Sequence, residues 1–490
     1  MKEDIGGSAA AAEVEPRGSV EPRGPGEPGG PGGQAGIVDE LTALCARLPA
    51  GSALPSTREL QRRHRASALT VQRALAAVAA RGLLVTTPGR GSVVAEPPAS
   101  RSTDLSWQTA VLGARDDLPH DMTELYSPVP DGVLDLASAY LDPAVQPVGL
   151  LAAAAARAAR RPGAWDRTPV AGLPDLRGLI AGLVSPAHSA QDVLVTSGGQ
   201  AALALVFRAL GRPGEALAVE HTTYPGALAA ARAAGLVPVP VPADAAGVRP
   251  DDLADVLGRS GARLVYLQPR HANPTGAVLA PSRRPAVLAA LRDHRAFCVE
   301  DDWVAPLDLT AVSPPPLAAT DPDGHVVHVL SLSKSVSPGL RIAAVSARGP
   351  VAARLARVRI TDDLFVAPVL QQTAVELLST PGWRRHLASL RRVLLARRAA
   401  LLTAIARSLP TLDPPQPPSG GVHVWLPLPA GADDRLVTAA ARRAGVAVGP
   451  GSAYTVGEAI APHLRLTYSR TPGEGLVTAV DRLAAVLRDG

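Results

Sequence analysis

From about residue 133 onward, helical stretches of Ala, Leu and Arg alternate with short apolar, β-branched runs at 193–196, 216–220, 237–241, 264–267, 297–300, 326–330 and 342–346. Few architectures accept that order: strands separated by helices pair in parallel, and the intervening helices must cover the sheet. The alternation predicts a mostly parallel sheet with helices on both faces. From about residue 369 a long helical region leads to a second unit, with strands expected at 422–426 and 464–468. An α/β large domain over 133–370 and a smaller α+β C-terminal domain over 371–490 are expected.

The first third of the 490-residue chain reads differently. Residues 1–35 are rich in Pro and Gly with almost no apolar side chains, so burial cannot offset the entropy of ordering, and a disordered tail is expected. Ile37, Leu41, Leu44 and Leu48 then recur at helical spacing. Ser56 with Glu59 three residues on is a capping-box pattern opening a second helix, and Ser67 caps a third that Gly82 ends. Two short strands, 83–87 and 92–95, flank the turn Pro88-Gly89-Arg90-Gly91. A compact unit of three helices and a two-stranded wing is expected over 36–96. Residues 97–132 lose periodicity and gain Ser, Asp and Pro, the composition of a linker.

The formal net charge is only +5, yet between Gly36 and Glu96 eight arginines face four acidic residues. A local basic excess suits phosphate-backbone binding, although charge alone does not establish it. Cys45 and Cys298 lack any CxxC or Cys/His spacing, so neither a disulfide nor a metal site is expected. The opening MKEDIGG has no signal-peptide pattern, and no apolar run of about 18 residues is free of charge, Pro or Gly, which predicts a cytoplasmic chain without membrane association.

One residue choice carries chemistry by itself. The chain has two lysines, Lys2 and Lys334, among 49 basic Lys and Arg residues. An ammonium can lose its proton and condense with an aldehyde, whereas a guanidinium stays charged, so Schiff-base chemistry is a task that Arg cannot take over.

The stretch from Gly51 to Val94 carries LPS-x-R-E-L, T-V-x-x-A-L and a G-x-G-S-x-V wing, and resembles the GntR-type winged helix-turn-helix. That resemblance implies double-stranded DNA as a partner. It puts Arg58 and Arg90 on phosphates and Thr70 and Gln72 of the recognition helix nearer the bases. The family's usual Arg after the recognition-helix cap is Ala68 here, so no base preference carries over.

Ser331-Leu-Ser333-Lys334-Ser-Val-Ser-Pro-Gly-Leu-Arg341 resembles the S-x-S-K-x-x-x-P-G-x-R segment of fold type I, class I/II aminotransferases. The resemblance implies pyridoxal 5′-phosphate on Lys334, with Ser331 and Arg341 holding its phosphate and Ser333 among the cofactor-binding residues. Gly199, Gln200 and Ala201, opening a helix after a strand, match the phosphate-cradling turn. Tyr224 matches the aromatic that stacks on the pyridine ring, and Asn273 the donor to the phenolic oxygen. Asp301 matches the carboxylate that keeps the ring nitrogen protonated, and Arg465 the fork for a substrate or effector carboxylate.

Joined to the N-terminal motif, these matches resemble the MocR group of bacterial regulators. They imply a DNA-binding transcription regulator that senses a small amine, an amino acid or the cofactor itself, as a homodimer. An active aminotransferase is the alternative. Two departures bear on it: Trp303, Val304, Ala305 and Pro306 offer no hydroxyl where the family places a Tyr after the Asp, and Gly226 stands where some relatives use an Arg.

Overall fold

A computed structural model describes residues 33–87, 89, 91–96, 105–112, 127–309, 314–458 and 461–489, with side chains 109, 112 and 489 left aside. The chain forms two compact units, divided between residues 114 and 115. The tail up to residue 32, Pro88 and Arg90 of the turn, and linker residues 97–104 and 113–126 lie outside the described residues.

In the first unit, α1 (Gln34–Arg47), α2 (Thr57–His64) and α3 (Ala68–Ala80) precede β1 (Leu84–Thr87) and β2 (Gly91–Val94), which pair antiparallel. Gln34 and Ala35, expected in the disordered tail, are helical instead: both are good helix formers and extend the turn that leads to the buried Ile37. Ser56 Oγ accepts the Glu59 N–H at 3.2 Å, and Ser67 Oγ accepts the Thr70 N–H at 3.2 Å, satisfying donors that a helix start leaves open. Only half of the expected capping box forms. The Glu59 carboxylate turns instead to Arg63, one helical turn away at 3.0 Å, where a charged donor outcompetes the backbone N–H of Ser56. Ile37, Leu41, Leu60, Val71, Val78 and Leu84 close one core. Within the stretch read as linker, Ser106–Leu112 is helical: Gln108 and Ala110 favour helix and no Gly or Pro interrupts the run.

The second unit is built on a seven-stranded sheet of β3 (Val193–Thr196), β4 (Ala216–Glu220), β5 (Val237–Val241), β6 (Leu264–Leu267), β7 (Phe297–Asp302), β8 (Val326–Ser331) and β9 (Ala343–Ser346). The spatial order is β3-β9-β8-β7-β6-β4-β5. β9 alone among them runs antiparallel, to both β8 and β3. Along β6, Leu264 and Tyr266 face one helix-covered core and Val265 and Leu267 the other, the period-two pattern of a sheet buried on both sides. β7 runs two residues past its expected end, because Asp301 and Asp302 pair with Val329 and Leu330 of β8 despite the low strand propensity of Asp.

A smaller antiparallel sheet, β10 (His423–Pro427), β11 (Gly449–Pro450) and β12 (His463–Thr467) in the order β10-β12-β11, packs on the helices Pro381–Ser408 and Gly473–Asp489. Leu134–Asp135 pairs in parallel with Val446–Ala447, and Leu136 and Leu141 are buried in this same core. Residues 134–141 therefore pack with the C-terminal sheet, although in sequence they fall within the span expected for the large domain, because pairing with 446–447 buries Leu136 and Leu141. Among the described residues, no helix is long and apolar enough to cross a membrane.

Leu60 is fully buried at the centre of the winged unit. Leu60→Ala should cost about 2–4 kcal/mol there, read as faster amide hydrogen exchange across 34–94 with exchange in the second unit unchanged.

Candidate functional site

Parallel strands whose C-terminal ends open on one edge of a sheet leave a crevice there, the usual place for a ligand in open α/β folds. Here the ends of β3, β7 and β8 surround a cavity of about 640 Å³. It is lined by Gly199, Gln200, Tyr224, Asn273, Asp301, Ser331, Ser333, Lys334, Arg341 and Arg465, all singled out in the sequence. Ala201 does not line it, although as the third residue of its helix its N–H has no partner within that helix.

Lys334 follows β8 by three residues, its Nζ 3.6 Å from the centre of the Tyr140 ring. Burial pushes its amine down to about 7, the Arg465 and Arg341 guanidiniums add to that, and Asp301 opposes it. An ammonium in such surroundings gives up its proton near neutrality, as a nucleophilic amine must.

Asp301 is buried at the end of β7. Its Oδ2 accepts from Tyr266 Oη at 2.7 Å and from Gln268 Nε2 at 2.9 Å. Burial pushes its carboxyl up to about 6, while those two bonds, His328 and Lys334 pull the other way.

Another part of the lining suits an anion. Gly198, at φ +105°, precedes the helix Gly199–Leu210, and a Cβ there would fall onto the Arg341 guanidinium. Arg341 Nη2 donates to Ser197 O at 2.7 Å. Ser331 Oγ accepts the Ser333 N–H at 3.3 Å, and Ser333 Oγ is buried without a protein partner. A helix N-terminus, a guanidinium and an unpaired buried hydroxyl together fit a phosphate group.

Arg465, from β12, is buried over the Tyr454 ring at 5.0 Å and donates to Asn273 Oδ1 at 3.1 Å and to Ala137 O. Among the described residues its Nε has no partner. Tyr224 Oη donates to Gln200 Oε1 at 3.2 Å, and Gln200 Nε2 to Gly226 O at 2.7 Å. A Cβ at 226 would fall onto the Tyr224 ring, which explains why no larger side chain stands there. Trp303 lines the cavity but gives its N–H to His271 O at 3.1 Å and stacks on His423. It supplies no free donor.

In the winged unit Arg58 and Gln72 are exposed, while the Thr70 hydroxyl is engaged with Ser67 Oγ at 2.9 Å. Arg90 lies outside the described residues. Arg73, exposed beside Gln72 on α3, escaped the sequence reading. So did Tyr140, Tyr454, Tyr266 and Gln268 around the cavity. Their signal was scarcity: the chain has six tyrosines, and Tyr140, Tyr224 and Tyr454 line the cavity while Tyr266 holds Asp301.

A winged helix joined to a sheet of this order, with a lysine and a buried aspartate at its strand ends, defines a DNA-binding head on an aminotransferase-like body. The chain belongs to the aminotransferase class I and II family, which matches residues 133–483, and residues 35–94 match the gntR family of bacterial regulatory proteins. Together they make the MocR-type architecture. The HTH-type transcriptional regulator YdfD of Bacillus subtilis is 25% identical over 449 residues, 90% of this chain and 93% of its own length. The 2-aminoadipate transaminase of Thermus thermophilus is 31% identical over 362 residues, 73% of this chain and 90% of its own. The crystal structure of LysN, an α-aminoadipate aminotransferase from Thermus thermophilus complexed with N-(5′-phosphopyridoxyl)-L-leucine, has a TM-score of 0.71 at 29% identity, covering 79% of this chain and 99% of that one.

With an amine near 7, acylation of Lys334 in cofactor-free protein should rise with pH through a midpoint of about 7 and then level off. Free Nα-acetyl-lysine should keep rising towards about 10.4. Competitive labelling with peptide mass spectrometry checks this; a Lys334 midpoint near that of the reference would refute it.

Proposed function

We propose that this chain is a DNA-binding transcription regulator whose aminotransferase-like unit binds pyridoxal 5′-phosphate at Lys334 and senses a small amine, an amino acid or the cofactor itself. One observation carries the reading: Lys334 stands in a cavity that also holds a buried carboxylate and an anion cradle. When bound, the cofactor supplies an aldehyde that condenses with amines and a ring that withdraws electrons. In this reading Gly199, Gln200, Ala201, Ser331, Ser333 and Arg341 take its phosphate, Tyr224 packs on the ring, Asp301 meets the ring nitrogen and Asn273 the phenolic oxygen. Arg465 takes a carboxylate of the effector. Arg58, Thr70, Gln72 and Arg90 contact DNA, in the winged helix over 36–96. A linker over 97–132 leads to the large domain (133–370) and the small one (371–490). The chain works in the cytoplasm as a homodimer, two winged helices matching two half-sites.

An active aminotransferase is the second reading, favoured by the transaminases among the relatives. Against it stand the DNA-binding head and the lack of a hydroxyl from Trp303 and Val304. Steady turnover with common amino acids at about 1–1000 per second would reverse the ranking.

Borohydride reduction of cofactor-saturated protein followed by peptide mapping should find the label on Lys334; a label elsewhere, or none, refutes the assignment. Lys334→Ala should leave DNA binding intact and abolish its response to amines, amino acids and free pyridoxal phosphate. Arg58→Ala should keep the response but lower the slope of log affinity against log salt by about one unit. Anisotropy titrations over several salt concentrations measure both, and equal loss of DNA binding in the two variants would sink the division of roles.

A further inference from the structure

Gln268 lies just past β6, 2% exposed, and its side-chain amide is used from both ends. Its Nε2 donates to Asp301 Oδ2 at 2.9 Å, and its Oε1 accepts the Asn273 N–H at 2.9 Å. Its own backbone N–H donates to Glu220 Oε2 at 3.1 Å, at the end of β4. A carboxylate accepts only and a backbone N–H donates only, so these neighbours make opposite demands. Among side chains of this length an amide meets both at neutral pH, and it cannot turn over without losing both bonds.

We propose that Gln268 is a positioning residue that sets Asp301 and the Asn273 loop against the bound cofactor, so that the carboxylate facing one side of the ring and the amide facing the other are held by one side chain. The proposal rests on the cofactor reading above. With Tyr266 Oη on the same oxygen, Asp301 Oδ2 already accepts two bonds, which leaves Oδ1 for the ring nitrogen. Asn273 Oδ1 in turn accepts from Arg465 Nη1 at 3.1 Å. A chain of bonds thus runs from Arg465, which faces an incoming carboxylate, through Asn273 and Gln268 to Asp301. An effector that draws Arg465 pulls on the group that positions the cofactor's acid partner.

The test uses full-length Gln268→Met and Gln268→Glu with pyridoxal phosphate as the probe. Cofactor affinity comes from a spectral titration, and the unfolding midpoint without cofactor reports folding independently. Gln268→Met keeps most of the volume and loses both bonds, so its Kd should rise at least about tenfold at every pH relative to wild type. Gln268→Glu should be as weak at pH 8, where two carboxylates meet, yet return towards wild type at pH 6. There the introduced carboxyl, facing Asp301 and Glu220, takes a proton and again donates to Oδ2. Tyr266, His328, Lys334 and Arg465 also face this site, so each Kd is compared with wild type at the same pH. Wild-type affinity in Gln268→Met, or a pH-independent deficit in Gln268→Glu, overturns the proposal. Should Met fail to fold, the pH response of Gln268→Glu decides alone. Wild type that takes up no cofactor sinks the functional reading itself, a result distinct from both.

Discussion

The site depends on a carboxylate taken out of water at the end of a central strand. Asp301 at bulk solvation would be an ordinary acid; buried on β7, its charge is costly and persists only because Tyr266, Gln268, His328 and Lys334 each favour it. The same desolvation acts on Lys334 with the opposite sign, and two guanidiniums, Arg465 and Arg341, press further on the amine. Positive groups converging on one carboxylate leave the cavity short of negative charge. A phosphate at the Ser331–Arg341 end would restore the balance.

Topology explains why these groups meet. Ser331 pairs with Ala343, and Ala343 with Thr196, so β8 and β3 end at one level, separated by a single antiparallel strand. The helix opened by Gly199 and the Ser331–Lys334 turn therefore leave the sheet side by side, and a Cβ on Gly199 would lie 3.6 Å from that of Ser331. Asp301 stands one strand further, beside Val329. The antiparallel β9 is thus a spacer that puts an anion cradle, an amine and an acid along one edge.

Much of this was legible in the sequence, because strands between helices announce themselves by composition and because a lone lysine among arginines is a chemical choice. The seven large-sheet strands fell within two residues of their observed ends, and the parallel character followed from alternation alone. The antiparallel run of β9 did not, since no local pattern separates it from its neighbours. Gln268 and Tyr266 escaped for a different reason: each acts through a bond to a residue more than thirty positions away, and only the β6–β7 pairing shows it. The packing of 134–141 with the C-terminal sheet is a non-local event of the same kind, three hundred residues distant in sequence.

What the site can do as a switch follows from energetics. Moving a two-state equilibrium from about 1:99 to 99:1 needs about 5.5 kcal/mol of differential affinity. A small amino acid whose carboxylate is held by one Arg beside an aromatic wall falls short of that if both states bind it alike, however tightly. If Lys334 holds the cofactor as proposed, a lysine that keeps it and one that has yielded it to another amine would differ by a whole covalent attachment. In the second condition the amine would be free to lie at the face of Tyr140, near Arg465 and Asp301, as it does here. The charge of the cavity would change with it, at the point where Gln268 and Asn273 connect Asp301 to Arg465. For such a switch, chemistry that stops at exchange would serve as well as chemistry that runs to completion, so a regulator of this kind would not need the hydroxyl that Trp303 and Val304 do not supply.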